Sequence, residues 1–280
     1  MVGGFERLTF GARNSAGQSI GASATVPANG ATSHAYSVAM QNAATFTGED
    51  LVFADFQGSD KRQGRMAFGS TRIDGATITV DSINDAHFAF FGGTAIDAAA
   101  NSEFPHFAPL TDAVNSTNCW FILTAREQDR TTGVETFINY VLPNCTAVMR
   151  LGDLSFQGKQ SATIQITAND SLYNIGGQLF SAMAMAVPDD RLSMYGFHST
   201  NRVHVTTFVQ DNTETDITLQ YLPLSSVVTI NATPNWLWIG GTTTALSSAS
   251  VTTGVAALAV AGTAAVIDVI MYETNFVASP

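Results

Sequence analysis

Few residues in this chain have the type and spacing for chemistry. The two cysteines, Cys119 and Cys145, bracket CWFILTAREQDRTTGVETFINYVLPNC. Gly17-Gln-Ser19-Ile-Gly21 matches G-x-S-x-G, the nucleophile elbow, which works because a strained strand-to-helix turn exposes the serine. Here no strong strand precedes the match and no helix follows it, so a Gly- and Ser-rich segment explains it better. The five histidines (His34, His87, His106, His198 and His204) are scattered, and none stands at metal-ligand spacing from a cysteine or another histidine. Asp211–Asp216 (DNTETD) is acidic enough to attract calcium but lacks the glycine and closing glutamate of an EF-hand loop, and reads as a hairpin turn. Asp189 and Asp190 are adjacent in one loop, whereas paired catalytic carboxylates flank their substrate from two sides. Phosphate loops and dinucleotide-binding glycines are missing. The expectation is a protein that is not an enzyme and holds no metal or cofactor.

Composition narrows the class. The 280 residues carry a net charge of -11, and Lys61 and Lys159 are the only lysines. A free nucleic-acid binder neutralises phosphates with a basic patch. The densest basic spot here is Lys61, Arg62 and Arg65 in DKRQGR, read as a polar loop. Charged residues make up only 12% of the chain, about half the usual share, which suits a surface that packs against copies of itself. The N-terminus lacks a secretory core, and Val255–Ile270 is too short and too polar to span a bilayer. It reads as a flexible connection followed by a buried strand, in a protein expected to be soluble and intracellular when made. The N-x-[ST] matches at Asn115, Asn144, Asn169 and Asn231 are therefore read as chance.

The elements that position these residues read as mostly β. Residues 1–32 are predicted as an extended arm with one short strand, Arg7–Phe10, and His34–Asn42 as a brief helix. Leu51–Phe56, Ala76–Val80 and Thr163–Thr167 are predicted strands, with Ile78 and Val80 on one face. Asn84 or Asp85 caps a short helical turn that the following Gly pair ends. Later, Arg202–Gln210 and Ile217–Leu222 flank the DNTETD turn as a hairpin. Ser226–Ala232, Trp236–Ile239 and Ala264–Tyr272 are further strands, and Gly177–Val187 a possible helix. This reading divides the chain into a β domain over 33–175 and a C-terminal β-rich region over 176–280.

The cysteine-bracketed run reads as a long hairpin. Thr131-Thr132-Gly133 suits a three-residue loop with Gly133 left-handed, which sets Arg130 against Val134, Thr124 against Tyr140, Ile122 against Leu142 and Cys119 against Cys145. One facing pair, Asp129 and Glu135, joins like charges. In this register Phe121, Leu123 and Val141 share one face, and Ile122, Tyr140 and Leu142 the other. Each arm is about 35 Å long at strand rise. The hairpin is apolar on both faces at its root and polar at its tip, so it is expected to project from a core. The cysteines would sit opposite one another, close enough for a disulfide, but a reducing compartment favours two buried thiols.

AREQDRTTGVETFINYVLPN (125–144) followed by RLGDLSFQGKQSATIQITA (150–168) resembles the major tail tube proteins of long-tailed bacteriophages. In that family a charged strand enters an acidic, Gly-closed turn, an aromatic return strand ends in Pro-Asn or Pro-Lys, and a "gdLsf.g" segment leads into an alternating strand. ATITVDSINDAHFAFFGG, upstream, is similar to the family's strand, acidic turn and aromatic-Gly ending. The resemblance spans about residues 76–168. It implies a β-barrel or sandwich with a short flanking helix, a long projecting β-hairpin and terminal arms. It further implies hexameric rings stacked into a hollow tail tube in the virion, assembled in the host cytoplasm. The partners would be other copies, the tape measure and tail-end proteins, and DNA passing through without specific contact, with no membrane involved. Asp153, Glu127, Asp129 and Glu135 are candidates to line the bore, and Glu127, Asp129 and Glu135 equally fit solvated residues of the hairpin tip. Two other readings stay open: a capsid decoration protein, or a glycan-binding tail fibre or adhesin in which Trp120, Trp236 and Trp238 stack on sugars rather than fill a core or subunit interface.

Overall fold

The computed structural model describes residues 2–14, 20–23, 25–40, 44–48, 52–58, 61–68, 73–80, 84–92, 117–128, 132–151, 161–169, 171–172, 191–192, 194–211, 213, 216–224, 237–240, 246–258 and 267–280. These residues are mainly β, with one short helix. The expected strand Ser226–Ala232 and helix Gly177–Val187 lie outside them.

The largest sheet is built around the cysteine-bracketed hairpin. Its antiparallel strands are β1 (Val2–Ala12), β3 (Tyr36–Ala39), β4 (Ala44–Gly48), β7 (Ile73–Val80), β8 (Thr117–Gln128), β9 (Glu135–Leu151), β10 (Ala162–Ala168) and β13 (Tyr195–Ser199). Their order is β3-β1-β8-β9-β10-β7-β4, and β13 joins β9 beyond the reach of β10. Cys119, Phe121 and Leu123 stand on one face with Leu8, Phe10, Ile78, Leu142 and Ile164. That face curls on itself until Phe5 of β1 and Phe46 of β4 approach to 5.9 Å, yet among the described residues no hydrogen-bonded pair closes the sheet into a barrel. The helix α1 (Asp85–Gly92) lies over the same face, where Phe91 stacks on Phe121 at 6.2 Å and 5°. Asn84 caps it: its Oδ1 accepts from the His87 N–H at 3.0 Å, and its own N–H donates to His87 Nδ1.

The opposite face meets a second sheet of β2 (Thr32–His34), β14 (Val203–Val209), β16 (Tyr221–Pro223), β17 (Leu237–Gly240) and β20 (Ile267–Ala278). Trp120, Ile122 and Val141 pack there against Val203, Val205, Val269 and Met271. A third layer of β15 (Asp216–Thr218), β18 (Leu246–Ala249) and β19 (Val255–Leu258) covers the far side, where Ile217, Leu219 and Ala256 meet Phe208, Ile270 and Tyr272. Every residue of β14 is consequently buried, which explains why RVHVTTFVQ shows no apolar alternation. Two short pairs stand apart from these layers: β11 (Ser171–Leu172) with β12 (Arg191–Leu192), and β5 (Val52–Gly58) with β6 (Lys61–Phe68).

Several expectations need correction. The N-terminal segment is not an arm: β1 pairs along its length with β8, and Leu8, Phe10 and Ala12 are core. The described part of the expected helix His34–Asn42, residues 34–40, is extended; Tyr36 and Val38 suit the pleat, and Thr32–His34 and Tyr36–Ala39 find partners in β14 and β1. Lys61–Arg65 of the DKRQGR segment is not a loop but the start of β6, with Arg62 and Arg65 in register with Gln57 and Asp55. The DNTETD turn does not join a hairpin, since β14 pairs with β20 and β2 while β15 pairs with β19. Val255–Leu258 is a strand within the supposed flexible connection. Strand pairing also joins residues on either side of 175/176, with β13 in the first sheet and β2 in the second.

The hairpin itself departs from expectation in two ways. It does not project alone, since β1 flanks β8 as far as Glu127 and β13 flanks β9 from Phe137 to Val141. Its register is as expected only at the root, where Cys119 faces Cys145. Opposite Trp120, β9 inserts an extra residue at Pro143-Asn144, and from there Phe121 faces Leu142, Leu123 faces Tyr140 and Gln128 faces Glu135. Pro143 has no N–H to give a ladder, so a bulge is where a strand tolerates it. The one-residue slip exchanges the faces of the return strand: Leu142 joins Phe121 and Leu123, and Val141 joins Ile122. It also takes Glu135 off the position facing Asp129. Gly133 is left-handed as expected, with φ 70°.

At Gly75 of β7 the backbone of β10 passes so close that an added Cβ would run into the Ile166 carbonyl oxygen. Gly75→Ala is expected to force β7 and β10 apart and cost about 1–3 kcal/mol, read as a lower urea midpoint with an unchanged m-value.

Candidate functional site

The densest set of charged and polar contacts lies at the tip half of the hairpin, where β1, β8, β9 and the entry to β14 converge. A bulge in β1 creates its centre. Phe5 pairs with Ala125 and Arg7 with Thr124, so Glu6 has no cross-strand partner and its carboxylate is re-aimed. Glu6 Oε1 accepts from Arg126 Nη2 at 3.1 Å and from Arg202 Nε at 2.9 Å, with Arg202 Nη2 also in contact. Arg126 Nη1 reaches Glu135 Oε1 at 3.4 Å, and Arg202 lies 5.3 Å from the centre of the Phe137 ring. A single carboxylate thereby joins the first strand, the hairpin and the second sheet.

Buried polar groups hold Arg202 in place. Glu273 is 2% exposed and accepts from the Thr200 and Asn201 N–H groups at 2.8 and 3.2 Å and from Asn201 Nδ2. Asn139, fully buried, accepts from Thr124 Oγ1 at 2.8 Å and donates to Ser199 Oγ at 2.8 Å, and Ser199 passes the chain on to the Asn201 carbonyl. Between the packed layers these groups would be costly without partners, so the 199–202 turn has little freedom. Beside it, the Arg7 guanidinium sits 3.7 Å from the centre of the Phe276 ring. Phe276 has φ 61°, an uncommon state for an aromatic residue, and is held by edge contacts to Tyr221 and His204.

The electrostatics of the site follow from its burial and its ion pairs. Burial tends to raise the Glu6 carboxyl, but the hydrogen bonds and charges of Arg202 and Arg126 outweigh it and hold the group below its ordinary value. His204 is fully buried, with Nε2 2.8 Å from Gln220 Oε1 and Nδ1 lacking a partner. Burial first, then the nearby charge of His34, pushes it down to about 3. Burial likewise takes His87 down to about 4. Cys119 and Cys145 are free, buried thiols that face one another, and burial raises both well above the ordinary thiol value, the opposite of an activated nucleophile.

Of the acidic candidates, Glu127 and Glu135 both lie near the hairpin tip, facing Thr136 and Gln128 and so on opposite faces. Each already has a partner, His198 at 3.7 Å and Arg126 at 3.4 Å. Asp129 and Asp153 lie outside the described residues, as do His106, the Asp189–Asp190 pair, Ser19 of the G-x-S-x-G match and Trp236. Trp120, one of the tryptophans considered for sugar stacking, is core: it is fully buried and its indole N–H donates to the Ile20 carbonyl at 3.0 Å. Trp238 is placed in β17 opposite Met271. Among the described residues no three His, Cys, Asp or Glu side chains gather to hold a metal ion, and no helix is long and apolar enough to cross a membrane. Reading the sequence missed Glu6 and Arg202. The signal available was a charged pair, Glu6-Arg7, inside an otherwise strand-like run, but the bulge that aims it depends on a partner more than a hundred residues away.

Two titrations follow. The lowered Glu6 carboxyl contributes stability that is present above its unfolded value of 4.5 and is lost as pH falls through the lower folded value. Glu6→Gln should therefore cost about 1 kcal/mol at neutral pH and nothing further below the folded value, as measured by urea unfolding across pH. For His204 the unfolded chain takes up its proton first, so stability declines as pH drops from 6.5 towards about 3. His204→Gln should flatten that slope by about one proton, or about 1.4 kcal/mol per pH unit.

No family model matches this chain, and neither a curated protein nor a solved structure shows significant similarity to it.

Proposed function

We propose that this protein is a structural, self-assembling virion component that forms stacked rings of a phage tail tube. The observation that carries the reading is the β5–β6 ribbon. Among the described residues it is a two-stranded sheet with no third strand on either edge. An isolated two-stranded ribbon is marginal in water, and its free backbone groups are a template for another chain. The hairpin that seemed to need a neighbour finds its cover within its own chain, and the ribbon takes over that role.

Three further features support the reading. The antiparallel sheets and the short flanking helix agree with the resemblance at the level of fold class. The chain is acidic and has two lysines, so a wall made from its copies would repel phosphates and let DNA slide. The titratable groups at the most polar site are committed to ion pairs and hydrogen bonds, which suits a part whose task is to keep its shape. Hexameric ring symmetry, contact with tape measure and tail-end proteins, and location in the virion tail are taken from the sequence resemblance.

The test is assembly of the purified full chain. Sedimentation velocity and negative-stain microscopy should show rings or hollow tubes. Replacing Val52–Phe68 with a short Gly-Ser linker should keep cooperative unfolding and abolish those particles. A wild-type protein that remains monomeric at its highest attainable concentration rules the function out.

A further inference from the structure

Asn29-Gly30 is the one Asn-Gly pair in the sequence. A glycine after an asparagine leaves the main-chain nitrogen unshielded by a side chain, so that nitrogen can attack the asparagine side chain. Such a pair is a chemical weak point. Here the surrounding geometry decides when the attack can occur.

The pair occupies the tip of a turn that leads into β2. The Ala31 N–H donates to the Ala28 carbonyl at 3.0 Å, and Gly30 has φ 81°. A type II turn needs a positive φ at its third residue, which glycine adopts without strain. Asn29 is exposed, so water reaches its side chain. The turn is docked on the end of β14. The Gly30 N–H donates to the Val209 carbonyl at 2.7 Å, and the Val209 N–H donates to the Ala31 carbonyl at 3.1 Å. These bonds carry the β2–β14 ladder beyond the pair of Thr32 and Phe208. Val209 is itself anchored: it is buried with Ala12, Ile20 and Ile267 and pairs with Ile267 of β20.

The nitrogen that would attack is therefore the one that Val209 holds. To react it must give its proton to water or a base and swing towards Cγ of Asn29. While the turn is docked, that proton is committed to the Val209 carbonyl and the peptide plane is fixed. When the turn lifts, both restraints end together.

We propose that Asn29 is a site of spontaneous deamidation, closed while its turn is docked on β14 and open when the turn lifts. In the open state the Gly30 nitrogen loses its proton and bonds to the side-chain carbonyl carbon of Asn29. The bond from that carbon to the amide nitrogen breaks, the nitrogen takes up a proton and leaves as ammonia, and a cyclic succinimide remains. Water adds to either carbonyl of the ring and yields aspartate or isoaspartate at position 29. Water is the only co-reactant. Both products add a negative charge. Isoaspartate also routes the main chain through the side-chain methylene, which lengthens the path to Gly30 by one atom. The Gly30 N–H and the Ala31 carbonyl can then no longer both face Val209, so the reaction holds open the gate through which it passed.

The test follows the purified full chain at mildly alkaline pH, in buffer and in denaturing urea. Peptide mass spectrometry reads heavy oxygen taken up from labelled water at position 29. Conversion in buffer should be slower than in urea by about tenfold or more, because a hydrogen bond must break before each attack. Ala31→Pro removes the N–H that closes the turn and pushes Gly30 towards an extended conformation, while keeping the Asn-Gly pair. Its rate in buffer should approach its own rate in urea, and Asn29→Ser should abolish the product. Circular dichroism confirms that the variants are folded. Should Ala31→Pro misfold, wild type in sub-denaturing urea replaces it. There, exchange of the Gly30 amide with heavy water and deamidation should accelerate in parallel. Equal wild-type rates in buffer and urea overturn the gate. So does Ala31→Pro that stays as slow as wild type in buffer, or exchange and deamidation that change independently. Urea-unfolded chain that yields no product at Asn29 overturns the site itself.

Discussion

The structure depends on one constraint: the root of the β8–β9 hairpin is apolar on both faces. Cys119, Phe121, Leu123 and Leu142 require cover on one side, and Trp120, Ile122 and Val141 on the other. No single sheet can provide both. The first face is covered by the curl of its own sheet and by α1, the second by β14 and β20. Those two strands are in turn left with a second apolar face, which β15, β18 and β19 close. Three layers follow from two-sided burial at the centre, because each added sheet must itself be covered unless its outer face is polar.

The Pro143–Asn144 bulge makes that arrangement consistent. In a strictly regular ladder Val141 would share a face with Phe121, and Leu142 with Ile122. One inserted residue reverses the pairing, so Leu142 lies in the curled core and Val141 in the seam between sheets. The same feature marks where β9 exchanges partners, from β13 on its N-terminal half to β10 on its C-terminal half. The Glu6 bulge in β1 works on the polar side, re-aiming a carboxylate towards two arginines. Both irregularities sit beside the hairpin and adapt a long regular element to neighbours with different requirements.

Local signals in the sequence were enough to place β7, β10, β5 and the Asn84-capped helix, because alternation and capping are set by near neighbours. The two facing cysteines and left-handed Gly133 were also legible. Partnership was not. The DNTETD segment has the composition of a hairpin turn, yet β14 is drawn away by β20, whose pairing buries Val205 and Met271 together. The N-terminal strand was obscured by its glycines, and the β2–β3 segment by short, interrupted runs that acquire structure only from distant strands. The polar node at Glu6 was the hardest to foresee, since Arg202 lies 196 residues away and reaches it only through the turn that Glu273 fixes. Bulges leave little trace in composition, and both the slip at Pro143 and the aim of Glu6 come from them.

β9 runs unbroken for 17 residues, from the exposed tip at Glu135 to Leu151, with a neighbour on each side for most of its length. Antiparallel ladder bonds lie across the strand axis. A pull along β9 would therefore load many of them at once, in shear, instead of peeling them one after another. Tension applied at the tip would be carried straight into the middle of the body, as along a tie rod. In the stacked assembly proposed above, that would be a route for load to bypass the loops.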